Sequence, residues 1–335
     1  MKYCPGGEIG RRNALKMHRP QGHGSSTLPP GTRIQILMII VNGRAIAQKV
    51  LAQIKTDFSG RSISIAAIWV GDNLAINRFV EIKKKYAESI GIKVTVFHFN
   101  SNEPEDKIVN KIKELSEDKN ISGIIVELPL PDKFNRDKIL NSIPKEKDID
   151  VLSASAQENF YNNRIGLLPP AVGALKILFE EYKIDPAKKT IAVLGQSILI
   201  GKPISHWLEQ VGAKVFRIDE YTSNPKELSH QADIIISGVG KPNLIRENMV
   251  KEGAIVVDFG FEKLGDPAPN FSADRHSKKG RVWSRAGKIA GDVDFDSVAP
   301  KTYLITPVPG GMGPIVIAAF LKNIVRVTQN SLPKL

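Results

Sequence analysis

The sequence predicts an α/β protein with two domains, in which parallel sheets are covered by helices on both faces. From Met38 onwards, apolar segments of strand length alternate with amphipathic segments of helical period. This alternation forms two successive series, and a chain of 335 residues is long enough to bury two separate cores. Strands that alternate with helices are typical of parallel sheets with helices on each side.

The first series contains segments of both kinds. Two of its strands are apolar almost throughout, and the strand between them alternates apolar and polar residues. The predicted helices span residues 43–58, 73–92, 104–118 and 170–182. The predicted strands span residues 62–71, 93–99 and 121–131, and the last of them ends in a rigid Pro-Leu-Pro turn.

The second series opens with the strand "TIAVLGQS" at residues 190–197. Further strands are predicted at 213–218, 233–239 and 254–259, and helices at 201–211, 225–231 and 245–251.

A glycine turn follows the first strand of this second series. Gly195, Ser197 and Gly201 form a G-x-S-x-x-x-G pattern between a strand and a helix, and the acidic pair Asp219 and Glu220 ends the next strand. A glycine turn at a helix N-terminus can hold a pyrophosphate, and an acid at the end of the next strand can accept a hydrogen bond from a ribose. This pattern predicts a Rossmann-like nucleotide-binding domain; an α/β core without a nucleotide is the alternative.

The segment "TPVPGGMGPIVIAAFLKN" at residues 306–323 places prolines and glycines directly before an apolar helix. Pro307 and Pro309 fix φ, whereas Gly310 and Gly311 allow backbone conformations closed to other residues. We expect a shaped loop whose backbone can lie close to a ligand. A tight turn that only caps the helix is the alternative.

The charge of the chain permits several kinds of partner. Its formal net charge is +12, but the lysines after residue 37 are interleaved with acids, as on ordinary solvated helix faces. No nucleic-acid module is recognisable, so we expect no nucleic-acid partner. No apolar run is long enough to span a bilayer, and we expect no membrane partner. The single cysteine, Cys4, excludes an internal disulfide and fits a cytoplasmic protein.

Residues 1–37 differ in composition from the rest of the chain. They carry six basic residues against one acid, collect Gly, Pro and Ser, and have no hydrophobic period, so we expect a disordered leader. They lack the apolar core of a signal peptide. An organelle transit peptide is one interpretation. The other is an over-extended reading frame, because Met38 begins a stretch that looks like a natural start.

Several stretches between residues 38 and 328 together resemble one family, the bifunctional methylenetetrahydrofolate dehydrogenase/cyclohydrolases. The stretches, in order, are "VGDNLAINRFVEIKKK" (70–85), "GIIVELPLP" (123–131), "KDID" (147–150), "GQSILIGKP" (195–203), "ADIIISGVGKP" (232–242), "GDVDF" (291–295) and "TPVPGGMGP" (306–314).

The resemblance implies a reaction and a domain organisation. The family passes a hydride from 5,10-methylenetetrahydrofolate to NAD or NADP, and water then opens the methenyl product to 10-formyltetrahydrofolate. The resemblance also implies a homodimer formed through the cofactor domains. We expect a leader at 1–37, a folate-binding catalytic domain at 38–170 and a Rossmann-like NAD(P) domain at 171–303. A loop and helix at 304–330 would return to the catalytic domain.

The resemblance also implies roles for individual residues. Lys83 aligns with the catalytic lysine, and Asp150 with the acid that holds the pterin; Glu127 lies at a catalytic position, and Phe79 would stack on the pterin. Lys84 and Lys85 fit an ordinary solvated face, and Asp148 a turn or helix cap. The folate cleft would be shaped by Pro309, Gly310, Gly311 and Pro314. The residues expected at the cofactor are Gly195, Gln196, Ser197, Gly201, Asp219, Glu220 and Gly238; no metal ion is expected.

This chain departs from the family pattern near the expected folate site. Phe79 replaces a tyrosine, Glu127 replaces a glutamine, Val151 replaces a glycine, and "LPPAVG" (168–173) is altered. A glutamate should hold Lys83 as an ammonium ion, so we predict a cyclohydrolase step weaker than the dehydrogenase step. A divergent relative that binds nucleotide or folate without turnover stays open, as does a dehydrogenase of the shikimate or amino-acid type.

The cofactor residues also depart from the pattern. The family commonly uses NADP and holds its 2′-phosphate with an arginine and a serine, where this chain has Gln196 and Glu220. Asp219 and Glu220 would repel a phosphate and accept hydrogen bonds from a ribose, so we favour NAD. Two alternatives are that Arg217 or Lys214 binds a phosphate, and that the two acids only cap their loop.

Overall fold

Two parallel sheets organise the described chain, which in this computed structural model comprises residues 38–57, 62–164, 166–263 and 289–330. The prediction of disorder at residues 1–37 therefore lies outside the described residues. In chain order the strands are β1 (Ile39–Ile40), β2 (Ile63–Val70), β3 (Ile92–Phe99), β4 (Ile121–Val126), β5 (Thr190–Leu194), β6 (Lys214–Ile218), β7 (Ile234–Ser237), β8 (Ala254–Asp258), β9 (Glu262–Lys263), β10 (Ile289–Ala290) and β11 (Thr302–Ile305).

Helices connect these strands and cover both sheets. They are α1 (Gly43–Asp57), α2 (Leu74–Ser89), α3 (Glu105–Glu117), α4 (Arg136–Leu140), α5 (Ala154–Tyr161), α6 (Pro170–Glu181), α7 (Gly201–Gln210), α8 (Pro225–Gln231), α9 (Phe295–Val298) and α10 (Met312–Asn330). The predicted class, an α/β protein with parallel sheets, is confirmed.

The smaller sheet has the order β3-β2-β4, and the larger has the order β1-β11-β8-β7-β5-β6; every pair in both is parallel. The strands β9 and β10 pair separately and antiparallel. In the larger sheet β6 lies on one side of β5 and β7 on the other. The strand order thus reverses at β5, which is where open α/β sheets bind ligands beyond their carboxyl ends.

Apolar side chains alternate between the two faces of each sheet, because successive residues of a strand point to opposite sides. Ile65 and Ile125 face α1 and α10, whereas Ile68 and Ile124 face α3 and α4. The larger sheet is covered in the same way, by α6 and α7 on one face and by the segment that precedes β8 on the other. Each sheet therefore has a core on both sides.

The helix α10 covers one face of the smaller sheet. It packs on α1, α6, α2 and β4, and its own Phe320 is fully buried. The buried amide of Asn323 donates hydrogen bonds to the backbone oxygens of Ile149 (2.9 Å) and Leu168 (2.8 Å). The helix thereby fixes two loops that lie between β4 and β5.

Some elements differ from the sequence prediction. The helix expected at 245–251 is only a 3-10 turn at Glu247–Met249, because Ile245 pairs its backbone with Asp292 and Asp294 in an extended conformation. The strand expected at 121–131 ends at Val126, and a turn with a cis Leu128–Pro129 bond follows. The first strand, β1, was not predicted and joins the larger sheet through β11.

Candidate active site

Three ionisable side chains from separate parts of the first series meet in one cluster. Lys83 lies on α2, Glu127 directly follows β4, and Asp150 lies in the turn after the bridge between Ile124 and Asp148. The Nζ atom of Lys83 donates to both carboxylate oxygens of Glu127, at 2.9 and 3.0 Å. It is 3.9 Å from an oxygen of Asp150. The structure thus brings together the three residues expected at the catalytic positions.

Burial and charge act in opposite directions in this Lys83–Glu127–Asp150 cluster. The exposed fraction is 19% for the side chain of Lys83, 6% for Glu127 and 17% for Asp150. Burial lowers the pKa of Lys83, but Glu127 and Asp150 outweigh it, so the net pKa is raised. Burial also raises the pKa of Asp150 to about 6, against the opposing effect of Lys83. Lys83 is therefore an ammonium ion at neutral pH.

Aromatic rings border the cluster on two sides. Phe320 of α10 lies beneath the ammonium group, with the Nζ atom of Lys83 5.3 Å from the ring centre. Phe79, one helical turn before Lys83, is partly exposed and meets the edge of Phe261, with ring centres 4.8 Å apart. An exposed aromatic ring beside a charged cluster offers a flat ligand a stacking surface.

The turn that carries Asp150 is held from within. The carboxylate of Asp148 accepts hydrogen bonds from the backbone of Leu152 (2.9 Å) and Ser153 (2.6 Å), so this residue caps the turn. Burial raises the pKa of Asp148. Val151 adopts φ of +59°, a left-handed conformation that is unfavourable for a β-branched residue. The neighbour of Asp150 is thus strained.

The proline–glycine loop at 306–311 leads into α10 and lies against the start of α1. The backbone of Gly43 donates to the oxygen of Gly310 (3.0 Å), and Gly310 has φ of +102°. A methyl group on Gly43 would come within 1.8 Å of the oxygen of Gly311. Pro309 is exposed beside them, and Pro314 lies in the first turn of α10. Sequence reasoning missed Gly43, whose role depends on a contact between distant segments.

The glycine turn of the second series lies where the strand order of the larger sheet reverses. Gly195 follows β5 with φ of +84°, and Gly238 follows the adjacent β7. An added methyl group on Gly201 would lie 1.7 Å from the oxygen of Gly195, and one on Gly238 would lie 2.5 Å from Ile200. The hydroxyl of Ser197 accepts a hydrogen bond from Ile200 (3.2 Å). These residues therefore close a tight turn at the start of α7.

Most polar side chains near this turn form hydrogen bonds with neighbouring residues. The carboxylate of Asp219 accepts hydrogen bonds from Tyr221 and Thr222, so it caps its own loop. Glu220 is exposed. Arg217 forms two hydrogen bonds with Glu209, at 2.7 and 2.9 Å. The side chain of Gln196 donates to the backbone oxygen of Val193, in the strand β5 that precedes the turn.

A second pair of acids, which sequence reasoning did not assign, joins the segment 291–294 to the ends of β7 and β8. Asp292 accepts hydrogen bonds from Ser237 (2.6 Å), Val239 (2.7 Å) and Lys241 (2.8 Å).

Asp258 accepts hydrogen bonds from the backbone of Val293 (2.9 Å) and Gly260 (2.7 Å). Its own backbone donates to the hydroxyl of Thr306, at the start of the proline–glycine loop. Burial raises the pKa of Asp258 to about 6, and Asp292 contributes. The "GDVDF" motif was the available signal.

A cleft connects the two halves of this region. A cavity of about 440 Å³ is lined on one side by residues 128–132, Phe134 and Arg136, directly after Glu127. Its other side is Ser197–Leu199 of the glycine turn. A ligand in the cleft would thus contact both sheets at their carboxyl ends.

Comparison with known proteins agrees with this geometry. Residues 41–150 match the family described as tetrahydrofolate dehydrogenase/cyclohydrolase, catalytic domain, and residues 169–332 match the NAD(P)-binding domain of the same family. This chain belongs to the tetrahydrofolate dehydrogenase/cyclohydrolase family. The membership removes the reason to consider a dehydrogenase of the shikimate or amino-acid type.

Relatives within the tetrahydrofolate dehydrogenase/cyclohydrolase family cover nearly all of the chain after the leader. The bifunctional protein FolD of Mycoplasmopsis synoviae is 37% identical over 299 residues, which are 87% of this chain and 99% of that protein. The crystal structure of FolD from Campylobacter jejuni is 35% identical, with a TM-score of 0.79, and the match covers 88% of this chain and 100% of that one. The Trypanosoma brucei enzyme, solved with NADP and an inhibitor, is 25% identical with a TM-score of 0.80, over 89% of this chain and 99% of that one.

The described residues offer neither a membrane span nor a metal site of clustered ligands. No helix among them is long and apolar enough to cross a membrane. No group of three or more His, Cys, Asp or Glu side chains there could hold a metal ion.

Proposed function

We propose that this chain oxidises 5,10-methylenetetrahydrofolate to 5,10-methenyltetrahydrofolate with a nicotinamide cofactor and hydrolyses that product to 10-formyltetrahydrofolate. The observation that carries the proposal is the buried Lys83–Glu127–Asp150 cluster. The segment that directly follows Glu127 lines a cleft whose other side is the glycine turn. Family membership supports it, since the named relatives are bifunctional enzymes of this kind.

The residues around the cleft have complementary roles in this proposal. Asp150 accepts hydrogen bonds from the aminopyrimidine edge of the pterin, and Phe79 stacks on its ring. Pro309, Gly310, Gly311 and Pro314 shape the cleft beside the folate. The cofactor lies over Gly195, Ser197, Gly201 and Gly238, with its pyrophosphate at the N-terminus of α7. Folate and nicotinamide then lie face to face, which is the geometry that hydride transfer needs.

The test is the reduction of nicotinamide. Purified protein is mixed with 5,10-methylenetetrahydrofolate and either NAD or NADP, and the absorbance of the reduced cofactor is followed. We expect reduction, and a fall on the order of a hundredfold or more in Asp150→Ala, because the folate loses its orientation. No reduction with either cofactor would favour the alternative of a non-catalytic relative.

We also propose that the chain prefers NAD to NADP. Glu220 is exposed beside the loop that Asp219 caps, and its charge would repel a 2′-phosphate. The cation that could compensate, Arg217, already binds Glu209 through two hydrogen bonds. Gln196 is uncharged and donates a hydrogen bond to the backbone of the preceding strand β5. NADP in the Trypanosoma brucei structure is a reason to measure both cofactors.

The preference is tested through kcat/KM with each cofactor at matched folate concentration. We expect a higher value with NAD, and Glu220→Ser should raise the value with NADP about tenfold and lower that with NAD, because the ribose loses a hydrogen-bond acceptor. Glu227→Ser, an exposed acid on α8, is the matched control. A preference for NADP in the parent chain would contradict the proposal and would direct attention to Arg217 and Lys214.

Two further proposals concern the protein in the cell. The family resemblance supports a homodimer formed through the larger sheet, which light scattering on the purified protein would test. The single cysteine in the whole chain supports a cytoplasmic location.

A further inference from the structure

The Lys83–Glu127–Asp150 cluster contains one positive and two negative groups. The ammonium of Lys83 is held between both oxygens of Glu127 at 2.9 and 3.0 Å, with Asp150 at 3.9 Å. All three side chains are largely buried, so their charges are weakly screened. With both carboxylates ionised, the cluster carries a net charge of −1. Asp148, behind the turn, accepts hydrogen bonds from the backbone of Leu152 and Ser153 and from the hydroxyl of Ser153. It adds no cation, and its negative charge raises the pKa of Asp150.

The proposed reaction changes the charge of the folate at two steps. In the first, the C–H bond of the one-carbon bridge breaks and its electron pair leaves as hydride to the nicotinamide. The bridge carbon, between two nitrogens, becomes cationic. In the second, water forms a C–O bond to that carbon, the bond from carbon to one nitrogen breaks with a proton passing to that nitrogen, and one proton is released. The product of the second step is neutral at the bridge.

We propose that the excess negative charge of this cluster makes the site selective for the cationic methenyl compound, and that Glu127 is the residue that sets this charge. The inference rests on the proposed function. It adds that, among the methylene, methenyl and formyl forms of the folate, the site binds the methenyl form most tightly. A neutral side chain at position 127 would leave Lys83 and Asp150 to cancel each other. Glu127 is a positioning residue: it holds the ammonium group of Lys83 in place and supplies the excess negative charge.

This selectivity has a consequence for the second step. Hydrolysis removes the cation that the cluster stabilises, and an ammonium group cannot accept the proton that water releases. Both effects slow hydrolysis relative to hydride transfer. The methenyl compound therefore accumulates before the chain hydrolyses it.

The experiment compares the binding of two folates, without any need for turnover. Calorimetry gives Kd for 5,10-methenyltetrahydrofolate and for tetrahydrofolate, which is neutral at the same atoms, in the parent chain, Glu127→Gln and Glu127→Asp. An opposite charge within 4–6 Å changes proton affinity by about ten- to a thousandfold, and we expect the preference for the methenyl compound to fall about tenfold or more in Glu127→Gln. Glu127→Asp keeps the charge and should keep the preference. The control is Glu117→Gln, which removes an exposed charge at the end of α3.

A second measurement follows the hydrolysis of 5,10-methenyltetrahydrofolate by its absorbance. We expect Glu127→Gln to hydrolyse it faster than the parent chain does, although a merely structural change would slow it. An unchanged ratio of Kd values in a folded Glu127→Gln variant, or hydrolysis in the parent as fast as hydride transfer, would overturn the inference. Failure of the parent to reduce either cofactor while it still prefers the methenyl compound would overturn the proposed function alone.

Discussion

The titration of Asp150 makes the stability of the protein depend on pH. Burial raises its pKa to about 6 from an ordinary value of 3.8. Between these values the folded chain keeps a proton that the unfolded chain has lost, so the free energy of unfolding that this group contributes falls as pH rises. Asp150→Asn removes the titration. The free energy of unfolding of the variant minus that of the parent should therefore rise by on the order of 2–3 kcal/mol from about pH 4 to pH 7.

Urea unfolding of both chains at several pH values in this range measures that difference. Asp258, whose pKa is also raised to about 6, titrates in both chains and therefore cancels. A difference that stays constant with pH would mean that Lys83 stabilises the ionised carboxylate of Asp150 enough to offset its burial.

The roles of single residues could be predicted from the sequence only in part. The family motifs assigned Lys83, Glu127 and Asp150 to one site, because in that family the segments that carry these motifs come together. The direction in which a side chain points could not be predicted. Two examples are Asp219, which caps its own loop, and Arg217, which binds Glu209 on the neighbouring helix. Such choices depend on partners that only the folded chain brings within hydrogen-bonding distance.

At the scale of elements, Asn323 holds α10 to two loops. Asn323→Leu would leave the buried backbone oxygens of Ile149 and Leu168 without their donor, and an unsatisfied buried group costs about 1–3 kcal/mol. We expect the free energy of unfolding to fall by about 2–4 kcal/mol in urea. Thr328→Val is the control, since Thr328 bonds only within α10. A loss equal to that of the control would mean that these two contacts contribute little.

The contact between α1 and the proline–glycine loop gives another prediction. Gly43→Ala would place a methyl group 1.8 Å from the oxygen of Gly311, so the loop must shift. A displacement of about 1 Å in a positioning element can cost about a hundredfold in rate, and we expect kcat/KM for methylenetetrahydrofolate to fall at least tenfold. Gly166→Ala, whose methyl group meets only an ordinary contact at 3.8 Å, should change it little. Equal rates in both variants would show that the loop tolerates the shift.

Elements with a long and regular period were predictable, whereas short ones were not. Periodicity located α1, α3, β2, β3 and β5–β8 to within a few residues, but it did not predict β1 or β11. It missed α4 and α5, which are short and held by caps at Asn135 and Ser153, and it predicted a helix at 245–251. There the backbone of Ile245 pairs with a segment about fifty residues later, and a local pattern holds no information on such a partner.

At the scale of the whole molecule, the leader should be dispensable. The composition of residues 1–37 cannot bury enough apolar surface to offset the entropy of ordering. We expect a chain that starts at Met38 to melt at the same temperature as the full chain and to keep its kcat/KM. Thermal melting and the cofactor assay on both chains test this. A fall in either quantity would assign the leader a structural role.

The path of the chain between the two sheets decides how the protein can be divided. The described chain starts in the larger sheet at β1, builds the smaller sheet, and returns to the larger sheet for β5–β8 and β11. Its last helix, α10, then covers the smaller sheet. Division of the chain near Gly166 would therefore leave the first fragment without α10, which covers its sheet. In the second fragment the apolar side chains of Phe320 and Leu321 would be exposed to solvent. Neither fragment is an autonomous folding unit. Produced separately they should aggregate, and co-expression should reassemble them into one active particle.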